Sequence, residues 1–380
     1  MDNELLARLT AWRRHLHAHP GVTLHEEATA AFVAERLTEM GITHQRGIGG
    51  HGIVATIARG SSNRAVGLRA DMDALPITER TGLPHASTNP GVMHACGHDG
   101  HTTSLLGAAA LLLADPSWSG TVHLVFQPAE EGGGGARSMI ADGLFQRFPM
   151  ERIFAYHNWP GLEAGTIAVH DGPVMAAGAR ISFAIEGAAG HAALPQLTRD
   201  PVVAAGHLIV ALQSIVARNV DPLEAAVISL GILEGGSAAN QIPATVNLRG
   251  TLRYYRDHIR DVLDAGVRRV AAGIAATCNV SIEVGLNYGV GATVNTRPEA
   301  ELAAAAAQHA GLALRRDVPP AMTGEDFAWY LAERPGAFAW IGNGPDSDGR
   351  ELHSPRYDFN DAILPAASSW LATVARDALR

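Results

Sequence analysis

Short apolar runs alternating with helical stretches constrain this chain more than any other feature. Runs at 52–58, 65–70, 121–127 and 152–156 read as buried strands, and 102–114 reads as a helix packed on them. Strands and helices in that alternation predict an α/β sheet with helices on both faces. Leu5, Leu6, Leu9, Trp12 and Leu16 mark an amphipathic helix before the first strand.

Between 179 and 288 the rhythm changes. Residues 180–186 alternate as a strand, and Asp200-Pro201 supplies an N-cap and first turn for a helix running to about Arg218. Strands at 226–233 and 245–254 flank a Gly-rich connection, followed by a helix at 257–276 and a strand at 280–286. The order β-α-β-β-α-β is that of a ferredoxin-like unit. After the glycines at 289–291 the α/β character returns, with a helix at 298–309 and a strand at 337–341. The expectation is a discontinuous α/β domain, 1–178 plus 292–380, with a smaller domain, 179–291, inserted in it.

Composition narrows the function. Of 380 residues only 18% are charged and 47% are hydrophobic, which supplies a core and argues against disorder. A net charge of −9 lacks the basic footprint of a nucleic-acid binder. The acidic start Met1-Asp2-Asn3-Glu4 is unlike a signal peptide, and the longest strongly apolar stretch, 105–114, is half a membrane span. With only Cys96 and Cys278, far apart, a disulfide framework is excluded. These features predict a cytoplasmic protein with no membrane or nucleic-acid partner. Eighteen histidines among so few charged residues point to chemistry.

That chemistry concentrates in four clusters, each expected just after a strand, where an open α/β sheet carries its binding loops. Arg69-Ala70-Asp71-Met72-Asp73 offers two carboxylates that bind metal, orient a ligand histidine or merely cap the loop. His94-Ala95-Cys96-Gly97-His98-Asp99-Gly100-His101 places a thiolate and an imidazole two residues apart around a glycine, so both can reach one cation. Gln127-Pro128-Ala129-Glu130-Glu131 precedes four glycines; adjacent glutamates point in different directions, so one can hold metal while the other faces a water. The fourth cluster is split between His157 and His353. Cys96, His98, Glu131, His157 and His353 are too many ligands for one open Zn2+ site and suit two cations sharing a ligand.

The stretches RADMDALPI, MHACGHDGHT, QPAEEGGGGA, HNWPG, TGEDFAWY and LHSPRYDFND resemble the metallopeptidase M20 family, in order and over nearly the whole chain. The likeness is to its amidohydrolase branch of aminoacylases, hippurate hydrolases and auxin-conjugate hydrolases. It implies two divalent ions, Zn2+ or Mn2+ with Co2+ or Ni2+ as further candidates. It also implies ligands at Cys96, His98, Glu131, His157 and His353, Cys96 as the bridge and Glu130 as general base. Asp71, Asp73 and Asp99 are then expected behind the ligands, and His191 at the developing oxyanion. Asn240 and Arg253 are expected to contact substrate, Arg253 through its carboxylate-matching fork. The family usually has Pro-His where this chain has Pro195-Gln196, so altered selectivity is expected. The reaction implied is hydrolysis of N-acyl amino acids to a carboxylic acid and a free amino acid. A dipeptidase or carboxypeptidase of the same family and a non-catalytic metal-dependent binder are the rivals. The inserted domain is read as a lid hinged near Gly178 and 289–291, and as the contact for a homodimer or homotetramer.

Overall fold

The computed structural model describes residues 1–380 and divides into two compact units. The first comprises Met1–Val174, Thr293–Pro320 and Asp326–Arg380; the second comprises Met175–Ala292 and Ala321–Glu325.

The first unit is built on an eight-stranded mixed sheet. Its order is Thr43–Ile48, Gly52–Arg59, Gly120–Gln127, Ala65–Asp71, Arg152–Pro160, Gly336–Gly344, Ile167–Val169 and Leu314–Arg315. The four central strands, from Gly120–Gln127 to Gly336–Gly344, run parallel. Alternation along each strand sends side chains to opposite faces. Phe154 and Tyr156 enter the main core with Leu105, Leu106 and Trp370, while Ile153 and Ala155 are buried outside that cluster. After Ala65–Asp71 the chain adds Gly120–Gln127 on one side and then Arg152–Pro160 on the other. This reversal is a topological switch point, and the carboxyl ends of the strands around it form the natural binding crevice.

The expected strands are present with slightly longer bounds, but two clusters do not follow a strand as expected. The helix starts at His98 rather than 102, so His98, Asp99 and His101 lie in its first turns. Tertiary partners engage Asp99, His98 Nδ1 and His101, so the helix needs no apolar periodicity there. His157 lies inside the strand Arg152–Pro160 and not beyond it.

The second unit has four antiparallel strands in the order Ala226–Gly235, Thr245–Tyr254, Ala177–Glu186 and Ser281–Tyr288. The helices Pro201–Asn219 and Asp257–Cys278 share its core through Leu208, Leu212, Leu263 and Val267, against Ile181, Phe183 and Leu248. Asp200 caps the first helix as expected, accepting hydrogen bonds from the Val202 and Val203 amides. That 19-residue helix, and not 105–114, is the stretch long and apolar enough to cross a membrane. Its Ala204, Leu208, Leu212 and Ile215 are buried in the unit's own core, as in a soluble amphipathic helix. Gly178 lies just past the boundary between Val174 and Met175 and pairs inside the sheet, accepting from the Gly289 amide at 2.9 Å, and a Cβ there would come within 2.9 Å of the Arg253 guanidinium.

Candidate active site

The carboxyl ends of the central strands gather the donors. Asp71 closes its strand opposite Gln127, and His157 projects from the next strand. His353 arrives from the far end of the sequence because its amide donates to the Ala95 carbonyl at 2.8 Å, which sets it beside Cys96. Donor atoms of Cys96, His98 and His157 lie within 4.8 Å of one another, and so do those of Cys96, Glu131 and His353. Cys96 is common to both groups.

Gly97 is what lets Cys96 and His98 converge. Its φ of +88° is left-handed, and a Cβ there would overlap Asn158 Nδ2 and Tyr357 Oη. Asn158 locks the arrangement. Its Nδ2 donates to the Cys96 carbonyl at 2.7 Å, its Oδ1 accepts from Tyr357 Oη at 2.7 Å, and its amide donates to His101 Nε2 at 2.9 Å. His101 thus carries its proton on Nδ1 and donates it to Asp71 Oδ1 at 2.6 Å. Both nitrogens being engaged, His101 supports Asp71 and is no ligand.

The backs of the other imidazoles are held in the same manner. His98 Nδ1 donates to the Asp73 carbonyl at 2.9 Å, and His157 Nδ1 to the Asn158 carbonyl at 2.7 Å. Each leaves Nε2 facing the donor cluster; His157 Nε2 lies 3.4 Å from Cys96 Sγ. His98 Nε2, Asp73 Oδ1 and Glu131 Oε1 are buried without hydrogen-bond partners. Of these residues, His98 and Glu131 share a donor group with Glu130, and buried polar atoms left without partners are costly unless a cation satisfies them.

The electrostatics agree. Burial pushes the Cys96 thiol well up, and the Glu131, Glu130 and Asp71 carboxylates push it further. Burial alone would lower His98, but Asp71 and Asp73 outweigh it and lift it to about 10. Both effects mark a strongly negative pocket, and bound divalent cations would reverse them. A thiolate, three imidazoles and a carboxylate suit Zn2+ or a similar ion. The residues present therefore fit the metal pair.

Glu130 stands beside this set. Its Oε1 accepts from the Asp326 amide at 3.3 Å. The Asp326 carboxylate accepts from Arg69 Nη2 at 3.0 Å, Gln127 Nε2 at 2.8 Å and the Ala136 amide at 3.0 Å, and Arg69 Nη1 also donates to Asp71 at 2.7 Å. Sequence reasoning passed over Asn158, Tyr357 and Asp326, although each lies within a recognisable motif. Asp326 follows Gly324-Glu325, and Asn158 follows His157 directly.

Asp99 takes partners outside the five donors. Its Oδ2 lies 2.8 Å from His17 Nδ1 and 3.8 Å from Arg13, and its Oδ1 accepts the Gly100 amide at 2.9 Å. Burial alone would lower His17, yet Asp99 and Glu79 raise it to about 10, and Asp99 is held well below the usual carboxylate range. His17 contributes its stability in full below its ordinary 6.5 and loses it as the pH rises towards 10. The share from Asp99 is present above 3.8 and is lost in acid. His17→Gln is therefore expected to cost about 3–5 kcal/mol near pH 6. Urea unfolding should show that deficit shrinking steadily from pH 6.5 to 9; a constant deficit would remove the ion pair as its cause.

The second unit holds the other candidates. His191 and Gln241 face each other on the ribbon formed by Gly190–His191 and Gln241–Ile242. The Ala192 amide donates to the Asn240 carbonyl at 3.0 Å, placing Asn240 at the same ribbon, and both His191 and Asn240 are exposed. A cleft of about 470 Å3 lined by Glu234, Ser237, Gln241 and Asn247 adjoins them. Arg253, on a different strand, donates Nη1 to the Leu252 carbonyl at 2.9 Å. Gln196 is exposed in the turn Pro195–Leu197.

Known proteins resemble the chain along its length. The profile of Peptidase family M20/M25/M40 matches residues 67–377. An N-acetyl-L-cysteine deacetylase of Bacillus subtilis is 41% identical over 370 residues, covering 97% of this chain and 88% of the relative. A hippurate hydrolase of Campylobacter jejuni is 38% identical over 365 residues, covering 96% and 94%. Among solved structures, the Bacillus subtilis YXEP protein, described as a dinuclear metal binding peptidase from the M20 family, superimposes with a TM-score of 0.87 at 34% identity over 98% of each chain.

Proposed function

The chain belongs to peptidase family M20/M25/M40 and hydrolyses amide bonds, and from that premise we propose that its substrates are N-acyl amino acids, cleaved to a carboxylic acid and a free amino acid. One observation carries the reading. Two Cys96-centred donor groups, with Glu130 grouped with His98 and Glu131, stand in a chain whose two named relatives act on N-acetylcysteine and hippurate, each an amino acid with an acylated amine.

Two divalent ions, Zn2+ or Mn2+ with Co2+ or Ni2+ as alternatives, would be held by Cys96, His98, Glu131, His157 and His353. Membership of both donor groups supports Cys96 as the shared ligand. Such ions polarise a carbonyl and acidify a water at neutral pH. Glu130 takes the proton of the attacking water and delivers it to the leaving amine. Asp71 and Asp73 hold His98 and the glutamate turn in place. His191 is assigned to the developing oxyanion, Asn240 to a substrate hydrogen bond and Arg253 to the substrate carboxylate. The second unit is assigned as a ferredoxin-like domain serving as lid and oligomer contact, a reading its four antiparallel strands and two helices support.

A panel of acetyl-, benzoyl- and longer acyl-amino acids, set beside dipeptides, tests the substrate class with metal-reconstituted enzyme. N-acyl amino acids are expected to exceed dipeptides in kcat/KM by about 10-fold or more, the scale one lost polar contact produces. The reverse order would establish the peptidase alternative. Exposed Val203, Val210, Ile232 and Leu233 on the second unit suit a contact between copies of this chain. Sedimentation is expected to show a dimer or tetramer, and a monomer at micromolar concentration would overturn that assignment.

A further inference from the structure

Besides His353, two non-glycine residues near the site hold left-handed backbone, Leu24 with φ +71° and Ala129 with φ +53°. Their amides converge on one atom. Glu26 Oε1 accepts from Leu24 at 2.8 Å and from Ala129 at 2.9 Å, and Glu26 is wholly buried. Ala129 immediately precedes the two adjacent glutamates. On the far side of Glu130, the Glu131 amide donates to Asp73 Oδ2 at 3.0 Å, and Thr23 Oγ1 donates to that same oxygen at 2.8 Å. The segment 23–26 thus supports the amides that flank Glu130 from both sides. It also packs beneath the glycines that follow, since a Cβ on Gly133 would come within 2.6 Å of Thr23 Cγ2. The local hydrogen bonds of the turn, Gly132 N to Glu130 O at 2.6 Å and Gly135 N to Ala129 O at 3.0 Å, engage its carbonyls and leave its amides to these carboxylates.

We propose that Glu26 is a positioning residue for the hydrolytic centre, its buried carboxylate fixing the turn that aims Glu130 and Glu131. The proposal rests on the reading of Glu130 as base and Glu131 as ligand. A buried side-chain oxygen accepting two backbone amides holds the turn in a conformation its own residues disfavour. Small displacements of a reacting group cost rate steeply, so this support acts on turnover and not on substrate affinity.

Full-length Glu26→Ala and Glu26→Gln enzymes, reconstituted with Zn2+, separate positioning from general structure. Glutamine keeps an acceptor oxygen, so Glu26→Gln should stay within about 3-fold of wild type in kcat and in Zn2+ affinity by chelator competition. Glu26→Ala should lower kcat by about 10–100-fold with KM nearly unchanged, and weaken Zn2+ affinity by about 10-fold through Glu131. A Glu26→Ala enzyme matching wild type in both measurements overturns the proposal. So does a Glu26→Gln enzyme that loses more than about 10-fold in either, a result readable even if the alanine variant does not fold. If the base is misassigned, Glu130→Ala retains its turnover while the Zn2+ affinities of the two Glu26 variants still differ.

Discussion

Glu130→Ala is expected to lower kcat by about 10²–10⁴-fold while the enzyme keeps its bound divalent ions, the usual range for losing a positioned general base. Both Cys96-centred donor groups omit Glu130, so its removal leaves the five proposed ligands in place. Its neighbour behaves oppositely: Glu131→Ala deletes a donor from the group with Cys96 and His353 and should release metal. Mass-spectrometric metal counting after gel filtration, beside steady-state kinetics, checks the pair. Because Glu130 also lies within 4.8 Å of His98 and Glu131 donor atoms, metal loss from the Glu130 variant would reassign it as a ligand.

Gly97→Ala is expected to be nearly as damaging without touching a single reactive group. The left-handed backbone at φ +88° costs an ordinary residue about 1–2 kcal/mol. The added methyl also overlaps Asn158 Nδ2 and Tyr357 Oη in a packed environment, which costs about 1–3 kcal/mol more. The backbone can relieve both only by moving Cys96 or His98. Metal affinity should fall by about 10–100-fold, with kcat/KM falling alongside. Tyr357→Phe removes one of the two obstructing atoms and should restore part of the affinity in the double variant. Unchanged metal affinity in Gly97→Ala would show that the loop absorbs the methyl elsewhere.

The candidate donors that the structure brings together were legible in the sequence because their residue types declare their chemistry. One cysteine, clustered histidines and adjacent glutamates at strand ends are hard to read otherwise. The strands and helices between 177 and 288 were equally visible, because they carry their apolar periods plainly. Supporting residues were not legible for a physical reason. Arg13, His17 and Glu26 are polar residues on or beside amphipathic helices, and nothing local distinguishes them from a solvated face. Only tertiary pairing, as between Arg13 and Asp361 at 2.5 Å, takes them out of water. The start of the helix at His98 was hidden likewise, since its first turns are polar and their burial depends on distant segments.

The hydrogen bond from His353 to Ala95 has a consequence for the order in which the molecule can be completed. A contact spanning that much chain cannot form on a ribosome until residue 353 has emerged. Arg13 waits longer still, for Asp358 and Asp361. The four strands of the second unit, by contrast, have all been synthesised by Tyr288. Until the last segment arrives, the chain can offer Cys96, His98 and His157 but not the second trio with Glu131 and His353. Loop-closure entropy delays such distant pairings. Both donor trios can therefore be complete only after His353 has been synthesised.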